Sequence, residues 1–200
     1  MRIEETPIPG AYVVTPEAIV DERGSFYEVM RTDEFERVTG ERFVTRQINY
    51  SVSRKNTLRG IHSVTSPPGQ TKFITCVRGI IRDFVVDLRI GSPTFGRWHS
   101  TVLDAASGTS VYVPEGVGHG FLALSEEACT SYAVDSTYVP GTQIDIDPLD
   151  PELAVPWGYT EPPLISDKDR AAPSLRKVRA AGLLIEWRDI RIPSSRARAS

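Results

Sequence analysis

The sequence predicts a mainly β fold. Through the middle of the chain, runs rich in β-branched and apolar residues follow one another, and turn signals such as residues 91–93 and 114–116 separate them. No helical pattern stands between these runs, which disfavours a parallel sheet built from strand-helix-strand units. Short strands at near-regular spacing are typical of an all-β sandwich or barrel. The predicted strands of this central part are residues 71–77, 80–88, 98–103, 110–113, 118–124 and 129–134.

The N-terminal part is predicted to hold short strands and one helix. The strands are residues 12–14, 18–20 and 26–30, with a turn at 21–24. Thr32 is a candidate N-cap and Gly40 ends the pattern, so a helix is predicted over 32–40. The next strand, 43–53, places Gln47 and Asn49 on one face because side chains alternate along a strand. Two such amides are equally compatible with satisfied core groups and with ligand contacts.

The residue composition of the chain changes after Pro140. Several prolines and aspartates up to residue 163 predict an irregular loop region, and Pro173 and Gly182 bracket a predicted helix over 173–181. The sequence therefore predicts a β core with a few short helices at its periphery.

Residues 57–77 include side chains that are candidates for a catalytic or binding role. Residues 67–69, Pro-Pro-Gly, predict a turn between two strands, so the unit is expected to fold back on itself with His62 and Lys72 facing one cavity. A neutral imidazole beside fixed positive charge suits proton removal next to a carbonyl, or the binding of an anionic substrate. The competing interpretation is a hairpin with scattered surface charges.

Composition limits the possible function classes. The chain has 200 residues, 40% of them hydrophobic, and a net charge of −3, which fit one domain over 1–200 and disfavour a broad nucleic-acid surface. No apolar run is long enough for a bilayer span or a signal peptide, so a cytoplasmic protein without membrane contact is expected. Cys76 and Cys129 are expected to be small buried residues. The basic tail, 188–200, is expected to fray.

The three histidines are His62, His99 and His119. The spacing from Gly108 through residues 114–118 to His119 resembles the second motif of cupin β-barrels, so the fold class expected is a cupin-type β-barrel, or jelly roll. The first cupin motif would need a His-x-His pair, whereas His62 is followed by Ser63 and Val64. Since a transition-metal site usually gathers several converging ligands, no metal is expected.

Several longer motifs resemble one family, the dTDP-4-dehydrorhamnose 3,5-epimerases, over about residues 23–184. The family also includes single-centre epimerases of antibiotic-sugar pathways. The motifs, in family order and spacing, are RGIH at 59–62, PPGQTK at 67–72, VDLRIGSPTFGRW at 86–98, GHGF at 118–121 and LISDKD at 164–169.

The resemblance implies a reaction. The substrate is a dTDP-linked 4-keto-6-deoxyhexose, whose ketone acidifies the hydrogens on C3 and C5, and no cofactor is required. His62 is implied as the base, Asp169 as its partner, Lys72 as the group that holds the C4 oxygen, and Tyr132 as the acid. An unperturbed imidazole has a pKa of about 6.5, so a histidine base is largely neutral near neutral pH.

The resemblance also implies binding roles and a homodimer. An exchanged N-terminal segment, about residues 1–30, would bring Arg23, Phe26 and Glu28 to the neighbour's site. Arg59 and His62 have opposite strand parity, so a bulge near Gly60 is required if both are to point inward. The substrate-binding positions implied by the resemblance are Arg23 and Arg59 for the pyrophosphate, Tyr138 for stacking on thymine, and Phe26, Glu28, Gln47, Asn49, His119 and Lys168 for further contacts.

The sequence departs from the family pattern at three positions. Ser63 replaces an aromatic residue after the base, Ser131 replaces a bulky residue before the acid, and Gln143 replaces a glutamate. Small polar residues beside base and acid are expected to enlarge or re-polarise the pocket, and this leaves open whether C3, C5 or both are inverted. The alternatives are a metal-dependent cupin oxygenase or isomerase, a 3,4-ketoisomerase acting on similar substrates, and a sugar-nucleotide binding protein without activity.

Overall fold

A computed structural model describes residues 1–189 of the chain. Most of the regular structure is strand, in agreement with the sequence prediction. The strands are β1 (Arg2–Glu5), β2 (Tyr12–Thr15), β3 (Ile19–Asp21), β4 (Gly24–Phe26), β5 (Gln47–Ser53), β6 (Leu58–Val64), β7 (Lys72–Arg78), β8 (Ile80–Asp87), β9 (Trp98–Asp104), β10 (Ser110–Val113), β11 (Val117–Ala123), β12 (Ala128–Val134) and β13 (Gln143–Asp145). The helices are α1 (Thr32–Thr39), α2 (Asp167–Arg170), α3 (Leu175–Ala180) and a 3-10 turn, Trp187–Asp189.

The strands form two large antiparallel sheets and one small hairpin. The six-stranded sheet has the order β1-β2-β10-β7-β12-β5, and the five-stranded sheet has the order β13-β6-β11-β8-β9. The hairpin pairs β3 with β4. Among residues 1–189, no recorded strand pairing joins the two large sheets into a closed barrel. The predicted class, a cupin-like jelly roll with few short helices, is confirmed as two facing sheets.

The main core lies between these two sheets. Ile74 of β7 and Val111 of β10 come from the six-stranded sheet, and Val85 of β8 and Phe121 of β11 come from the five-stranded sheet; all belong to one buried cluster. Alternate residues of each strand point into this cluster because strand side chains alternate between faces. The same alternation decides which polar residues face the interior.

The outer faces of both sheets carry clusters of their own. On the six-stranded sheet, Phe35 of α1 and Phe43 pack against Phe73 and Tyr112. On the five-stranded sheet, residues from the C-terminal part cover β6, β8 and β11, with Trp157 as the largest buried side chain. The predicted peripheral position of the helices is confirmed.

Some local predictions are wrong. The competing interpretation of residues 57–77 as a hairpin is wrong, because β6 belongs to the five-stranded sheet and β7 to the six-stranded sheet. Residues 27–30 do not continue β4; instead the hydroxyl of Tyr27 donates to the carbonyl of Ala105, and Met30 packs on the outer cluster. Helix α1 begins at Thr32, but its N-cap is Arg31 and no side chain caps it. The predicted fraying of 188–200 concerns residues that lie almost wholly outside the described ones.

The bulge required at Gly60 is present. In the pairing of β6 with β11, His62 lies opposite His119 and Arg59 opposite Phe121, so two residues of β6 face one of β11. Gly60 has a φ of +131°, and a Cβ there would lie 2.6 Å from the Cα of Gly120. Only glycine fits this position, and the bulge turns both Arg59 and His62 towards the interior. None of the described helices is long and apolar enough to cross a membrane.

Candidate active site

Polar side chains gather at one end of the space between the two sheets. His62 (β6) and His119 (β11) come from the five-stranded sheet, whereas Lys72 (β7) and Tyr132 (β12) come from the six-stranded sheet. Asp169 reaches the same place from α2. The structure therefore brings together all four residues that the sequence predicts to be catalytic.

His62 is held by a carboxylate. Its Nε2 lies 2.7 Å from Oδ1 of Asp169, whose side chain is almost fully buried. Ser166 caps α2 by accepting a hydrogen bond from the amide of Asp169, and the amide of Gly60 donates to the other carboxylate oxygen at 3.4 Å. Burial by itself would raise the pKa of the Asp169 carboxyl, but the hydrogen bond and charge of His62 and the other two donors outweigh it and lower that pKa. The carboxylate therefore stays ionised beside the ring.

The orientation of the ring decides which nitrogen can act as a base. Because Nε2 faces Asp169, a neutral His62 donates its proton there, and the lone pair lies on Nδ1. The side chain is 33% exposed, so part of the ring is accessible to a ligand. This is the arrangement that proton abstraction needs.

Lys72 places an ammonium group beside this ring. It is buried, and its Nζ donates to the backbone carbonyl of His62 at 3.2 Å. Burial lowers the pKa of Lys72 to about 8, and the charges of Asp83 and Asp145 oppose that shift. Near neutral pH the group is still charged and can stabilise an oxyanion.

Tyr132 faces the site from the opposite sheet. Its hydroxyl and that of Ser51 are 3.0 Å apart, and its ring makes an edge-on contact with His119 at 5.9 Å between centroids. Burial raises the pKa of Tyr132 to about 12, partly offset by the hydrogen bond with Ser51 and the charge of Arg59. The phenol is therefore a proton donor throughout the physiological range.

His119 forms a second histidine–aspartate pair behind the first. Its Nε2 lies 2.5 Å from Oδ2 of Asp83, and the two side chains are only 5% and 1% exposed. Asp83 also raises the pKa of the nearby Lys72, against the effect of burial. The buried carboxylate thus helps to keep the ammonium charged. Sequence reasoning missed Asp83 because nothing in a strand of apolar residues marks an acid as part of a site.

The predicted nucleotide-side residues line the edge strand β5 and its neighbours. Nε of Arg59 donates to Ser53 at 3.0 Å, and Nε2 of Gln47 donates to Asn49 at 2.8 Å. Oε1 of Gln47 accepts from the amide of Tyr138, whose side chain is 59% exposed. The prediction that Gln47 and Asn49 share a face is confirmed, and the tyrosine ring is free to stack on a ligand.

Three predicted binding residues are not brought to this place within one chain. Arg23 is exposed and pairs with Asp21 inside the β3–β4 hairpin. Phe26 is 67% exposed, and Glu28 is exposed as well. Arg23 and Phe26 line a shallow cavity made only of hairpin residues, separate from His62 and Tyr132.

The expectation that Ser63 and Ser131 enlarge the pocket is wrong. Ser63 lies opposite Ile144, which belongs to the outer cluster, so its side chain points away from the face of His62. Ser131 lines an apolar groove on the outer face of the six-stranded sheet. Strand alternation, which the sequence already contains, sends the neighbours of base and acid to the opposite face. Gln143 remains the one departure on the inner side.

Sequence reasoning also missed Asp145. Its Oδ1 lies 3.7 Å from Nε2 of His62 and 2.8 Å from Nζ of Lys168. The ligand atoms of His62, Asp145 and Asp169 lie within 4.8 Å of one another. Only the pairing of β13 with β6, which is not visible in the sequence, brings this carboxylate to the ring.

Comparison with known proteins identifies the family. The family model described as dTDP-4-dehydrorhamnose 3,5-epimerase matches residues 5–177. A dTDP-4-dehydrorhamnose 3-epimerase of Streptomyces niveus is 47% identical over 92% of this chain and 88% of its own. The rmlC epimerase of Mycobacterium tuberculosis superposes with a TM-score of 0.91 at 44% identity, over 94% of this chain and 95% of that one.

A third relative is a 3'-monoepimerase from Streptomyces bikiniensis, solved in complex with dTDP-quinovose. It superposes with a TM-score of 0.87 at 42% identity, over 92% of each chain. The relatives thus include epimerases named for one centre and for two. By the extent of these matches, the chain belongs to the dTDP-4-dehydrorhamnose 3,5-epimerase family.

Proposed function

We propose that this enzyme inverts C3, C5 or both in a dTDP-linked 4-keto-6-deoxyhexose, in deoxysugar biosynthesis. The observation that carries the proposal is the placement of His62 and Tyr132 on two facing sheets at the same end of the interior. Inversion at carbon needs a base on one face of the sugar and an acid on the other, and facing sheets supply both. The names of the relatives support the substrate class.

The first step is proton removal. The lone pair on Nδ1 of His62 takes the proton from C3 or C5, the C–H bonding electrons form a double bond to C4, and the carbonyl electrons move to the C4 oxygen. The imidazole becomes an imidazolium, which the Asp169 carboxylate stabilises. Lys72 provides the positive charge for the resulting enolate oxygen.

The second step returns a proton to the opposite face. The O–H bond of Tyr132 breaks, its proton goes to the carbon, and the C4 ketone reforms. The tyrosinate is left beside Ser51 and the charge of Arg59, both of which stabilise it. Arg59 and the exposed ring of Tyr138 are assigned to the pyrophosphate and the thymine, which suit a guanidinium and an aromatic surface.

Proton NMR in deuterated water tests this function. We expect deuterium at each inverted carbon of the dTDP-4-keto-6-deoxyhexose, with the ketone remaining at C4. Label at C3 alone would assign a single-centre epimerase, and label with inversion at C3 and C5 would assign the double epimerase. A ketone found at C3 would replace this function with 3,4-ketoisomerisation, and binding without any exchange would indicate a sugar-nucleotide binding protein.

A metal-dependent reaction is the second candidate, because His62, Asp145 and Asp169 have the donor types and the spacing of a cation site. The ammonium of Lys168 at 2.8 Å from Asp145 opposes a cation there by repulsion. Full activity after dialysis against EDTA, with metal content measured, would exclude this candidate. Loss of activity that added iron or manganese restores would favour it.

We also propose a homodimer in which the β3–β4 hairpin of each chain completes the site of the other. Exposed apolar side chains on the hairpin, Ile19, Val20 and Phe26, support this proposal. So do Ile48, Tyr50 and Val52, which are exposed on one face of the edge strand β5. Two surfaces of this kind on one chain are typical of a protein that associates with itself.

Mixed dimers test the exchange. When His62→Asn and Arg23→Ala chains carrying different tags are purified together, exchange predicts that one of the two sites is fully wild-type and active. If each hairpin served its own chain, every site in the mixed dimer would carry one of the two substitutions, and activity would stay at the level of the separate variants.

A cytoplasmic location also stays a prediction, which cell fractionation can test.

A further inference from the structure

The position of Asp145 beside His62 is imposed by the backbone. Strand β13 pairs antiparallel with β6, and Asp145 lies directly opposite His62. The neighbouring pair, Ile61 and Ile146, exchanges both backbone hydrogen bonds, at 3.0 and 2.9 Å. His62 and Asp145 therefore form a non-hydrogen-bonded pair, the type in which facing side chains stand closest. No change of rotamer is needed to bring this carboxylate to the ring.

The carboxylate of Asp145 lies close to the ring of His62 but makes no hydrogen bond with it. Its Oδ1 is 3.7 Å from Nε2 of His62, beyond hydrogen-bond distance, whereas Asp169 accepts the bond from that nitrogen at 2.7 Å. The same oxygen of Asp145 pairs with Lys168 at 2.8 Å. Asp145 is the one carboxylate of β13, because Gln143 stands at the other inward position of that strand.

We propose that Asp145 is a positioning residue that stabilises the imidazolium formed when His62 takes the substrate proton. The inference rests on the proposed role of His62 as the base. Because the ammonium of Lys168 pairs with the same oxygen of Asp145 at 2.8 Å, it partly offsets the effect of the carboxylate. Among the described residues, the charged and titratable groups that face His62 or its immediate neighbours are Asp145 on β13, Lys168 and Asp169 on α2, Lys72 on β7, Tyr132 on β12, and His119 on β11 with Asp83 on β8.

The pH dependence of kcat/KM tests this role, because its low-pH limb reports the base of the free enzyme. In Asp145→Asn the imidazolium loses the carboxylate charge that lies 3.7 Å from its Nε2. We expect the low-pH limb to move down by about 0.5 to 1 pH unit, the size that a charge at this distance gives in a half-exposed site. We also expect the plateau of kcat to fall about 3- to 10-fold.

Lys168→Gln is expected to shift the low-pH limb of kcat/KM in the opposite direction. Removing the ammonium leaves Asp145 free to act on the ring, so the low-pH limb is expected to move up by a few tenths of a pH unit. If Asp145 only anchored Lys168, both substitutions would move the limb in the same direction, and this would overturn the proposal. Asp145→Glu, which keeps the charge, is expected to restore most of the wild-type profile.

Two controls separate this inference from the proposed function. Glu152→Gln removes the same charge from the exposed loop after β13 and is expected to leave the limb in place. His62→Asn is expected to be inactive. An inactive His62→Asn variant together with an unmoved low-pH limb in Asp145→Asn would overturn the inference about Asp145 alone. An active His62→Asn variant would overturn both that inference and the proposed role of His62 as the base.

Discussion

The proposed catalytic centre and the β3–β4 hairpin differ in how far a single chain completes them. In the centre, His62, Lys72 and Tyr132 each have a recorded partner within the chain, and most of their surface is buried. On the hairpin, Asp21 of the same turn is the only residue among 1–189 to which Arg23 bonds, and Phe26 is exposed. The sequence resemblance assigns both regions to one site.

This difference reflects how the side chains of each region are held in place. Each residue of the centre sits on a strand of the jelly roll or on the capped helix α2, so the register of the sheets fixes it to within a side chain's reach. The hairpin is not held in this way, because within the described part of the chain its two strands pair only with each other. A second chain would have to hold it in place. The two regions should therefore respond differently to substitution.

The largest effect is expected from His62→Asn. Without a base the first step fails, so kcat should fall about 10³-fold, within the range for general base catalysis. Asparagine is close in shape, and the half-exposed ring contributes little to the core. Circular dichroism and gel filtration should therefore match the wild type while NMR shows no exchange. Near wild-type turnover would remove His62 as the base and with it the assignment of this centre.

Tyr132→Phe separates the two halves of the reaction. The base side is intact, so a proton can still leave and return on the same face, whereas delivery to the opposite face is lost. We expect inversion to slow about 10²-fold while deuterium exchange with retained configuration persists. NMR in deuterated water measures both quantities in one sample. Equal loss of exchange and inversion would mean that the hydroxyl is needed before the enolate forms.

A third prediction concerns pH and Lys72. The folded-state pKa of Lys72 is lowered to about 8, so the ammonium that holds the enolate oxygen is present below that pH and is lost as pH rises through it. We expect kcat/KM to fall by up to tenfold per pH unit above about 8. Tyr132 does not contribute to this limb, because burial raises its pKa to about 12.

Lys72→Arg is the matched control for this limb. A guanidinium keeps its charge at any pH at which the protein is folded, so the variant should be slower but should show no decline above pH 8. A decline of the same midpoint in Lys72→Arg would assign the limb to another group.

Much of the centre could be predicted from the sequence, since strand alternation is a local property. It placed Gln47 and Asn49 on one face, and it required the bulge at Gly60 that the structure contains. The same rule, applied to Ser63 and Ser131, would have placed them on the outer faces.

What the sequence could not predict is the pairing of distant strands. A turn signal at 67–69 indicates that the chain reverses, but not that it crosses to the other sheet, so the sequence does not predict that β6 and β7 lie in different sheets. Asp145 and Asp83 reach the histidines only through such long-range pairing. Register between distant strands is set by packing of the whole core, which no short motif encodes.

The smallest effect is expected on the hairpin, from Arg23→Ala. Arg23 is exposed and its one ion pair among the described residues is with Asp21, so the melting temperature and the pH profile should stay at wild-type values. If the partner's Arg23 binds the pyrophosphate, KM should rise about tenfold while kcat changes little, because the contact is made equally in ground and transition states. Asp21→Asn removes the same surface pair but keeps the guanidinium, so its KM should stay low. Equal KM values in the two variants would place the hairpin outside the site, and the contrast with His62 would then be one between a catalytic centre and an unrelated surface.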